Sequence, residues 1–197
     1  MRRALLARHG ESEFSVRGAL NGDVAVRGGL TPAGREQARR LGSELRDVRI
    51  DLCVTTEFER VLETADLVLD GRDVPRVVVP ELNDPLYGPF EGAQIDEYRA
   101  WATSVGSAEA PGPGGESRRT IVERYVRGFR LVLDRDEETI LVVAHSLPIS
   151  YAVGARDGRA PSPRAPLAEY TTVYELSSDE LERAARLLEQ WAVAPSW

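Results

Sequence analysis

The 197-residue chain has no lysine, one cysteine, two histidines and no long apolar run. All 25 basic residues are therefore arginine, so any anion must be bound by arginine, histidine or backbone amides. The single cysteine, Cys53, excludes an intrachain disulfide. No segment approaches the roughly 18 apolar residues of a transmembrane helix, and the apolar run after Arg2-Arg3 is too short for a secretory signal. We therefore expect a cytoplasmic protein without a membrane partner.

The charge balance and the length limit the remaining classes. The formal net charge is -7, whereas a nucleic-acid binder needs a basic face, so we expect no nucleic-acid partner. A hydrophobic content of 42% is ordinary for a globular protein with a core. Because single domains extend to roughly 250 residues before they split, we predict one domain over residues 1–197.

Short apolar runs alternate with amphipathic segments, which is typical of βαβ units and a mainly parallel sheet. We expect strands near residues 4–7, 50–55, 77–79, 139–144 and 171–176. We expect helices near residues 31–46, 57–69, 96–103 and 117–133, and another from residue 146. The tail over 179–191 favours a helix by residue propensity, and a last sheet strand is the alternative. Residues 104–116, rich in Gly, Pro, Ser and Ala, are expected to be flexible.

Each of the two histidines follows an apolar run that is predicted to be a buried strand. His9 comes after residues 4–7, and His145 comes after residues 140–144. Ligands of open α/β folds bind at the carboxyl ends of the strands, so both imidazoles can face one pocket. For either histidine alone, an ordinary hydrogen-bonded role is the alternative. The chain clusters no carboxylates or cysteines around them in sequence, and we predict no metal site.

Four motif regions, in order along the chain, resemble the histidine phosphatase superfamily. This family includes cofactor-dependent phosphoglycerate mutases and many small-molecule phosphatases. The regions are 5–14 with 29–38, then 54–65, 81–92 and 142–146, so the resemblance covers nearly the whole chain. The resemblance implies a three-layer α/β/α sandwich with a mainly parallel central sheet, and phosphoryl transfer without a metal or other cofactor.

The resemblance also assigns the central roles. His9 would be the nucleophile that becomes a phosphohistidine, and nearby arginines would favour its neutral form. Arg8 and Arg60 would clamp the phosphate as planar donor forks. His145 would donate to the transferring group, and the Ser146 amide would bind an anion at a helix N-terminus. The family usually has glycine at that last position.

A general acid must protonate the leaving oxygen and then act as a base on water. Counting four positions back from Gly88, by the family pattern, gives Asp84, with Glu81 and Glu91 as the alternatives. Most relatives have glutamate there. Because aspartate has a lower reference pKa than glutamate, about 3.9 against 4.3, we expect the pH optimum of the activity to be shifted to acid pH.

The first loop departs further from the family, although three of its residues are candidates for phosphate or substrate contact. Ser15 and Asn21 replace the common asparagine and glutamine, and Ala19 replaces a common arginine. Gly22 is the third candidate. These changes affect substrate contacts rather than the central chemistry.

A phosphatase acting on a small phosphorylated metabolite is the favoured function, with a mutase and a non-catalytic phosphate binder as alternatives. Mutases of the family hold a second acidic group of the substrate with basic residues, one of which is a lysine where this chain has Ile95. A mutase also shields its phosphohistidine, usually with an additional insert and tail, and we expect this chain to be too short for them. The segment 112–117 is similar to that of the phosphatase members instead. The segment 104–117 forms either part of the rim of the site or a plain connection.

Overall fold

The computed structural model describes all residues from 1 to 197, and a five-stranded sheet lies at its centre. The strands, in chain order, are β1 (Arg3–Arg8), β2 (Leu52–Thr55), β3 (Arg76–Val78), β4 (Thr139–Ala144) and β5 (Val173–Ser177). Their order across the sheet is β3-β2-β4-β1-β5. All neighbours are parallel except β5, which runs antiparallel to β1 at one edge.

Seven helices connect and cover the strands. They are α1 (Glu13–Val16), α2 (Pro32–Glu44), α3 (Glu59–Val68), α4 (Ile95–Ser104), α5 (Arg118–Leu133), α6 (Ser146–Arg156) and α7 (Ser178–Val193). The start of α2 shows the local cause: the Thr31 side chain accepts a hydrogen bond from the Gly34 amide, and Pro32 occupies the first turn. No helix is both long and apolar enough to cross a lipid bilayer.

Two hydrophobic cores lie on opposite faces of the sheet because side chains alternate along each strand. In β1, Ala4 and Leu6 belong to the core that α5, α6 and α7 cover. Leu5 and Ala7 belong to the core that α2 and α3 cover, together with the buried Cys53. The expected three-layer α/β/α sandwich with a mainly parallel sheet is confirmed.

Most predicted elements are present within a few residues of their expected ends. The tail forms the helix α7, so the alternative of a last strand there is wrong; Ser177 caps α7 in a reciprocal capping box with Glu180. The short helix α1 and the 3₁₀ turns at Pro80–Leu82 and Gly88–Phe90 were not predicted. Elements of three or four residues are too short to show a period in the sequence.

Close backbone contact fixes α2 against the loop that follows β1. A Cβ atom on Gly34 would lie 2.0 Å from the Glu11 carbonyl oxygen, and one on Gly10 would lie 2.5 Å from the Gly34 carbonyl oxygen. Neither backbone atom can move without displacing the other segment. The loop that carries His9 is therefore held by helix packing as well as by the sheet.

We expect Gly34→Ala to destabilise the protein by about 1–3 kcal/mol, the usual range for overpacking. Gly154→Ala is the matched control in another helix, because its Cβ would meet nothing closer than 3.8 Å. That control should be neutral or stabilising by up to about 1 kcal/mol, from helix propensity. Urea unfolding of the two variants measures both values, and an unchanged midpoint for Gly34→Ala would contradict the packing argument.

Candidate active site

The two histidines lie side by side at the carboxyl edge of the sheet. His9 follows β1 and His145 follows β4, and these strands are parallel neighbours. The ring centroids are 5.4 Å apart with the planes inclined by 70°. Both side chains are buried. The structure therefore brings together the two imidazoles that the sequence placed at strand ends.

His9 is held as a neutral imidazole with a defined tautomer. Its Nδ1 lies 2.7 Å from the Gly10 carbonyl oxygen, which can only accept, so Nδ1 carries the proton. Burial lowers the pKa of His9 well below its usual value, and the positive charges of Arg60 and Arg8 lower it further. Nε2 is left with a free lone pair at neutral pH, as a nucleophile requires.

His145 is fixed through both ring nitrogens. Its Nδ1 lies 3.0 Å from Asp84 Oδ2, and its Nε2 lies 2.9 Å from the Thr56 hydroxyl. Since a carboxylate only accepts, Nδ1–H donates to Asp84, and the neutral ring accepts from Thr56. Burial lowers the pKa of His145 and outweighs the opposing effect of Asp84. Phe58 packs edge-on against the ring at 4.8 Å.

Arg60 joins this carboxylate to the first loop. From α3, its Nη2 donates to Asp84 Oδ2 at 2.8 Å, and its Nη1 donates to Asn21 Oδ1 at 2.6 Å. Burial by itself would raise the pKa of Asp84, but His145 and Arg60 hold that pKa well below its usual range. Asp84 is thus a carboxylate in the free protein, bound to two groups that the resemblance assigns to phosphate binding.

Arg8 connects the site to the loop before β5. Its Nη1 donates to the Ala168 carbonyl oxygen at 2.9 Å, and its guanidinium carbon lies 3.9 Å from the centroid of the Tyr170 ring. The Ala168 amide in turn donates to Ser146 Oγ at 2.8 Å. The Arg8 Nε is buried and has no hydrogen-bond partner. Burial lowers the pKa of Arg8 from its ordinary value.

The other predicted contact residues divide into two groups. Ser15, Asn21 and Ser146 line the same cleft as Arg8 and His9. Gly22 does not line it. Its amide donates to Glu91 at 2.9 Å, and a Cβ on Gly22 would lie 1.7 Å from the Pro85 carbonyl oxygen, so this glycine packs against the loop that carries Asp84.

Of the three carboxylates considered as general acid, only Asp84 lines the cleft. Glu91 accepts hydrogen bonds from the amides of Gly22 and Tyr87, each at 2.9 Å, and so braces the backbone. Glu81 lies in the 3₁₀ turn before Asp84 and does not reach the cleft lining. The geometry favours Asp84 over both alternatives.

Sequence reasoning missed several residues that hold or line the site. Arg124 in α5 donates to the carbonyl oxygens of Glu81 and Asn83 at 2.9 Å each, and forms a two-pronged ion pair with Glu116 at 2.8 Å. Thr56, Tyr170 and Arg118 were also missed. Nothing in the local sequence distinguishes these residues, because their partners are distant along the chain.

Beyond the phosphate-side residues, the cleft has a largely apolar wall. Its hydrophobic members are Phe14, Ala19, Leu20, Tyr87, Ile95, Tyr98, Leu147, Pro163, Ala165, Pro166, Leu167 and Tyr170. None of residues 104–117 lines the cleft, which favours the interpretation of that segment as a connection. The loop over 163–167 contributes to the wall instead. No three His, Cys, Asp or Glu side chains group as possible metal ligands.

The family profile of the histidine phosphatase superfamily (branch 1) matches residues 4–190. This chain belongs to that superfamily. An adenosylcobalamin/alpha-ribazole phosphatase of Salmonella typhimurium is 34% identical over 160 residues, or 77% of each chain. A 2,3-bisphosphoglycerate-dependent phosphoglycerate mutase of Methylobacterium sp. is 31% identical over an alignment that covers 94% of this chain and 97% of the relative. The expected family is therefore confirmed.

The structural comparison agrees with the sequence comparison. The crystal structure of a putative alpha-ribazole-5'-P phosphatase from Escherichia coli superposes with a TM-score of 0.76 at 28% identity, covering 89% of this chain and 90% of that chain. A solved structure of the phosphatase kind thus shares the fold of this chain.

We expect neither histidine to titrate at or above about pH 6.5, the reference pKa of imidazole. Both pKa values are lowered in the folded protein, so below about pH 6.5 the unfolded chain binds protons that the folded chain does not. The free energy of unfolding should therefore fall as the pH falls through this region. Two-dimensional NMR of the only two histidines measures the titration. Urea unfolding of His9→Gln should show a weaker pH dependence between about pH 5 and 6.5.

Proposed function

We propose that this protein hydrolyses phosphomonoesters through a phosphohistidine formed on His9 Nε2. The observation that carries the proposal is the state of His9. It is buried and neutral, and the Gly10 carbonyl oxygen holds the proton on Nδ1, so Nε2 keeps its lone pair. Two arginines and a second imidazole surround it, which suits stabilisation of the charge on a transferring phosphoryl group.

In this proposal the phosphate occupies the donors of Arg8, Arg60 and His145. Arg60 and His145 already share one anionic oxygen, Asp84 Oδ2, at 2.8 and 3.0 Å. This arrangement supports the view that they are placed to receive an oxyanion. Arg8 lines the cleft and donates one side-chain hydrogen bond, to the Ala168 carbonyl oxygen, so further donors of its guanidinium remain for the phosphate.

Asp84 would then act as a proton carrier whose affinity for protons depends on the ligand. In the free protein its pKa is held down by His145 and Arg60. An incoming phosphate would take over those donors and place negative charge beside the carboxylate, and both changes raise a carboxyl pKa. Asp84 would therefore gain a proton when substrate binds, as a general acid requires.

The proposed reaction has two balanced steps. In the first, the Nε2 lone pair forms a bond to phosphorus, the bond from phosphorus to the ester oxygen breaks, and the proton of Asp84 moves to the leaving alcohol. In the second, Asp84 takes a proton from water as the water oxygen attacks phosphorus. The bond between phosphorus and Nε2 breaks, and inorganic phosphate is released with His9 and protonated Asp84 restored.

The wall of the cleft supports an alcohol with a bulky apolar part as the leaving group. Phe14, Leu20 and Leu167 are among the residues that the alcohol would contact. Similar relatives are named as phosphatases of adenosylcobalamin and alpha-ribazole. A substrate panel for this protein should therefore include alpha-ribazole phosphate beside sugar phosphates, phosphoglycerates and nucleotides.

A phosphoglycerate mutase remains the second candidate because one mutase relative matches nearly end to end. Against it, the position at which mutases carry a lysine is Ile95, which lines the cleft. Supplying 3-phosphoglycerate with a bisphosphoglycerate primer separates the two functions. A mutase converts the phosphoglycerate, whereas a phosphatase releases free phosphate.

Three broader predictions accompany the proposed function. The family match over residues 4–190 supports one domain across residues 1–197. The ligand would be a small phosphate ester, without a nucleic-acid partner, and the location would be the cytoplasm.

His9→Ala should abolish hydrolysis of p-nitrophenyl phosphate, because the variant has no acceptor for the phosphoryl group. Wild-type protein mixed with labelled substrate and quenched in alkali should carry acid-labile, alkali-stable phosphate, as expected for a phosphohistidine. Equal rates for wild type and variant, without labelled protein, would favour the third interpretation, a phosphate binder without turnover.

Asp84→Asn should lower turnover of alkyl phosphates by about 10²–10⁴-fold, the usual contribution of a general acid or base. With p-nitrophenyl phosphate, whose leaving group needs no proton, the first step should persist and give a burst of p-nitrophenolate followed by slow turnover. Inorganic phosphate should inhibit the variant more strongly than wild type, because the competing carboxylate is gone. Equal loss on both substrates without a burst would contradict the assigned role.

A further inference from the structure

Two arginines line the cleft apart from the proposed phosphate-binding groups, and they are Arg99 and Arg118. Arg99 is partly exposed and lies 3.8 Å from the Asp96 carboxylate, whereas Arg118 is buried. It is the first residue of α5 and is only 6% exposed. Its Nη1 donates to the Tyr151 hydroxyl at 3.2 Å, and its guanidinium carbon lies 5.2 Å from the centroid of the Tyr98 ring. No carboxylate oxygen lies within 4.0 Å of its nitrogens, in contrast to Arg60 and Arg124.

The buried guanidinium of Arg118 is incompletely satisfied. Arginine has five N–H donors, and the Nε of Arg118 is buried without any hydrogen-bond partner. Buried charges in proteins are normally paired with an opposite charge, because an unpaired one loses its hydration without compensation. Nη2 of Arg118 also has no hydrogen-bond partner, and unlike Nε it is not fully buried, so it can donate to an anionic group of a ligand in the cleft.

The position of Arg118 in its helix strengthens this argument. The N-terminus of a helix carries a partial positive charge, which favours anions and disfavours a cation in the first turn. Arg118 therefore adds its charge where the 16-residue helix α5 is already positive. Its exposed neighbour Arg119, by contrast, is paired with Glu123 at 3.0 Å. Arg118, unlike Arg119, is buried, has a nitrogen without a partner and lines the cleft.

We propose that Arg118 binds a second anionic group, a carboxylate or a phosphate, carried by the alcohol part of the substrate. This inference rests on the proposed function, in which Arg8 and Arg60 hold the phosphate that is removed. The preferred substrate is then a phosphomonoester with an apolar body and an acidic group. In the mutases a lysine at the position of Ile95 binds the second acidic group. Because Ile95 is apolar and lines the cleft, Arg118 of α5 would bind that group in this protein instead.

A purely structural role is the competing explanation. Arg118 contacts Tyr98 and Tyr151, and such contacts can stabilise a packed cluster of rings. That role predicts a change of stability on substitution but no preference among ligands. Discrimination between ligands with and without a second acid is the property that separates the two explanations.

The experiment measures binding in the His9→Ala background, so that affinity does not depend on turnover. The ligands are phosphate esters of ω-hydroxy acids of increasing chain length, each paired with the alkyl phosphate of the same length. One α,ω-bisphosphate series replaces the carboxylate by phosphate. Calorimetry gives the ratio of the two dissociation constants within each pair of ligands. The ratio is measured for the protein that keeps Arg118 and for its Arg118→Gln and Arg118→Lys variants. Arg119→Gln is the control for a charge removed from the same turn.

At the chain length that spans the two sites, the acid should bind roughly tenfold more tightly than its alkyl partner, the effect of one charge-assisted hydrogen bond. The ratio should fall to about one in Arg118→Gln, lie between these values in Arg118→Lys, and stay unchanged in Arg119→Gln. A preference in either ligand series counts as support, and the two series distinguish a carboxylate from a phosphate.

Equal affinities at every length with Arg118 present, or a preference that survives Arg118→Gln, would overturn the inference. If Arg118→Gln does not fold, the inference is tested by the ratio of dissociation constants in the protein with Arg118 against the ratio in Arg118→Lys. A protein that binds these pairs selectively but releases no phosphate when His9 is restored would contradict the proposed function alone.

Discussion

One carboxylate oxygen, Oδ2 of Asp84, connects the parts of this site that come from different regions of the chain. It accepts from Arg60 of α3 and lies 3.0 Å from Nδ1 of His145 at the end of β4. Without an anion at that point, buried cationic and imidazole groups would face one another uncompensated. Asp84 therefore serves the free protein as the counter-charge that the phosphate replaces in the proposed reaction, and its own backbone must be held accurately. Arg124 provides that support from α5, and Gly22 allows the first loop to pack against Pro85.

The parts of the site that the sequence revealed are those whose chemistry is local. His9 and His145 directly follow apolar strands, and the resemblance to the family pointed to Asp84 through its spacing to Gly88. The same reasoning found the layers of the fold and the helical tail, because long amphipathic segments show their period. It could not show that Gly22 lies outside the cleft lining, since that depends on contact with Pro85 far along the chain. Thr56 and Arg124 were invisible for the same physical reason.

The absence of lysine has a structural consequence in this site. Arg60 contacts Asn21 through two nitrogens while it also reaches Asp84. Arg124 binds three backbone carbonyl oxygens while it pairs with Glu116. A planar fork with five donors can do this from one position, whereas an ammonium group concentrates its charge at one point. Each arginine therefore holds two chain segments together, through hydrogen bonds as well as through its ion pair.

Ser146 shows how a departure from the family pattern can be built into the fold. Its hydroxyl accepts from the Ala168 amide, while Arg8 donates to the Ala168 carbonyl oxygen. The amide and the carbonyl oxygen of Ala168 are thus both tied to residues next to the proposed phosphate position, and with glycine at 146 only the tie to Arg8 would remain. The loop that they hold contributes Pro166 and Leu167 to the apolar wall. In the proposed reaction Arg8 would also contact the phosphate, so one side chain would join the phosphate site to the wall that contacts the alcohol. Binding of the phosphate and binding of the alcohol would therefore affect each other through Arg8.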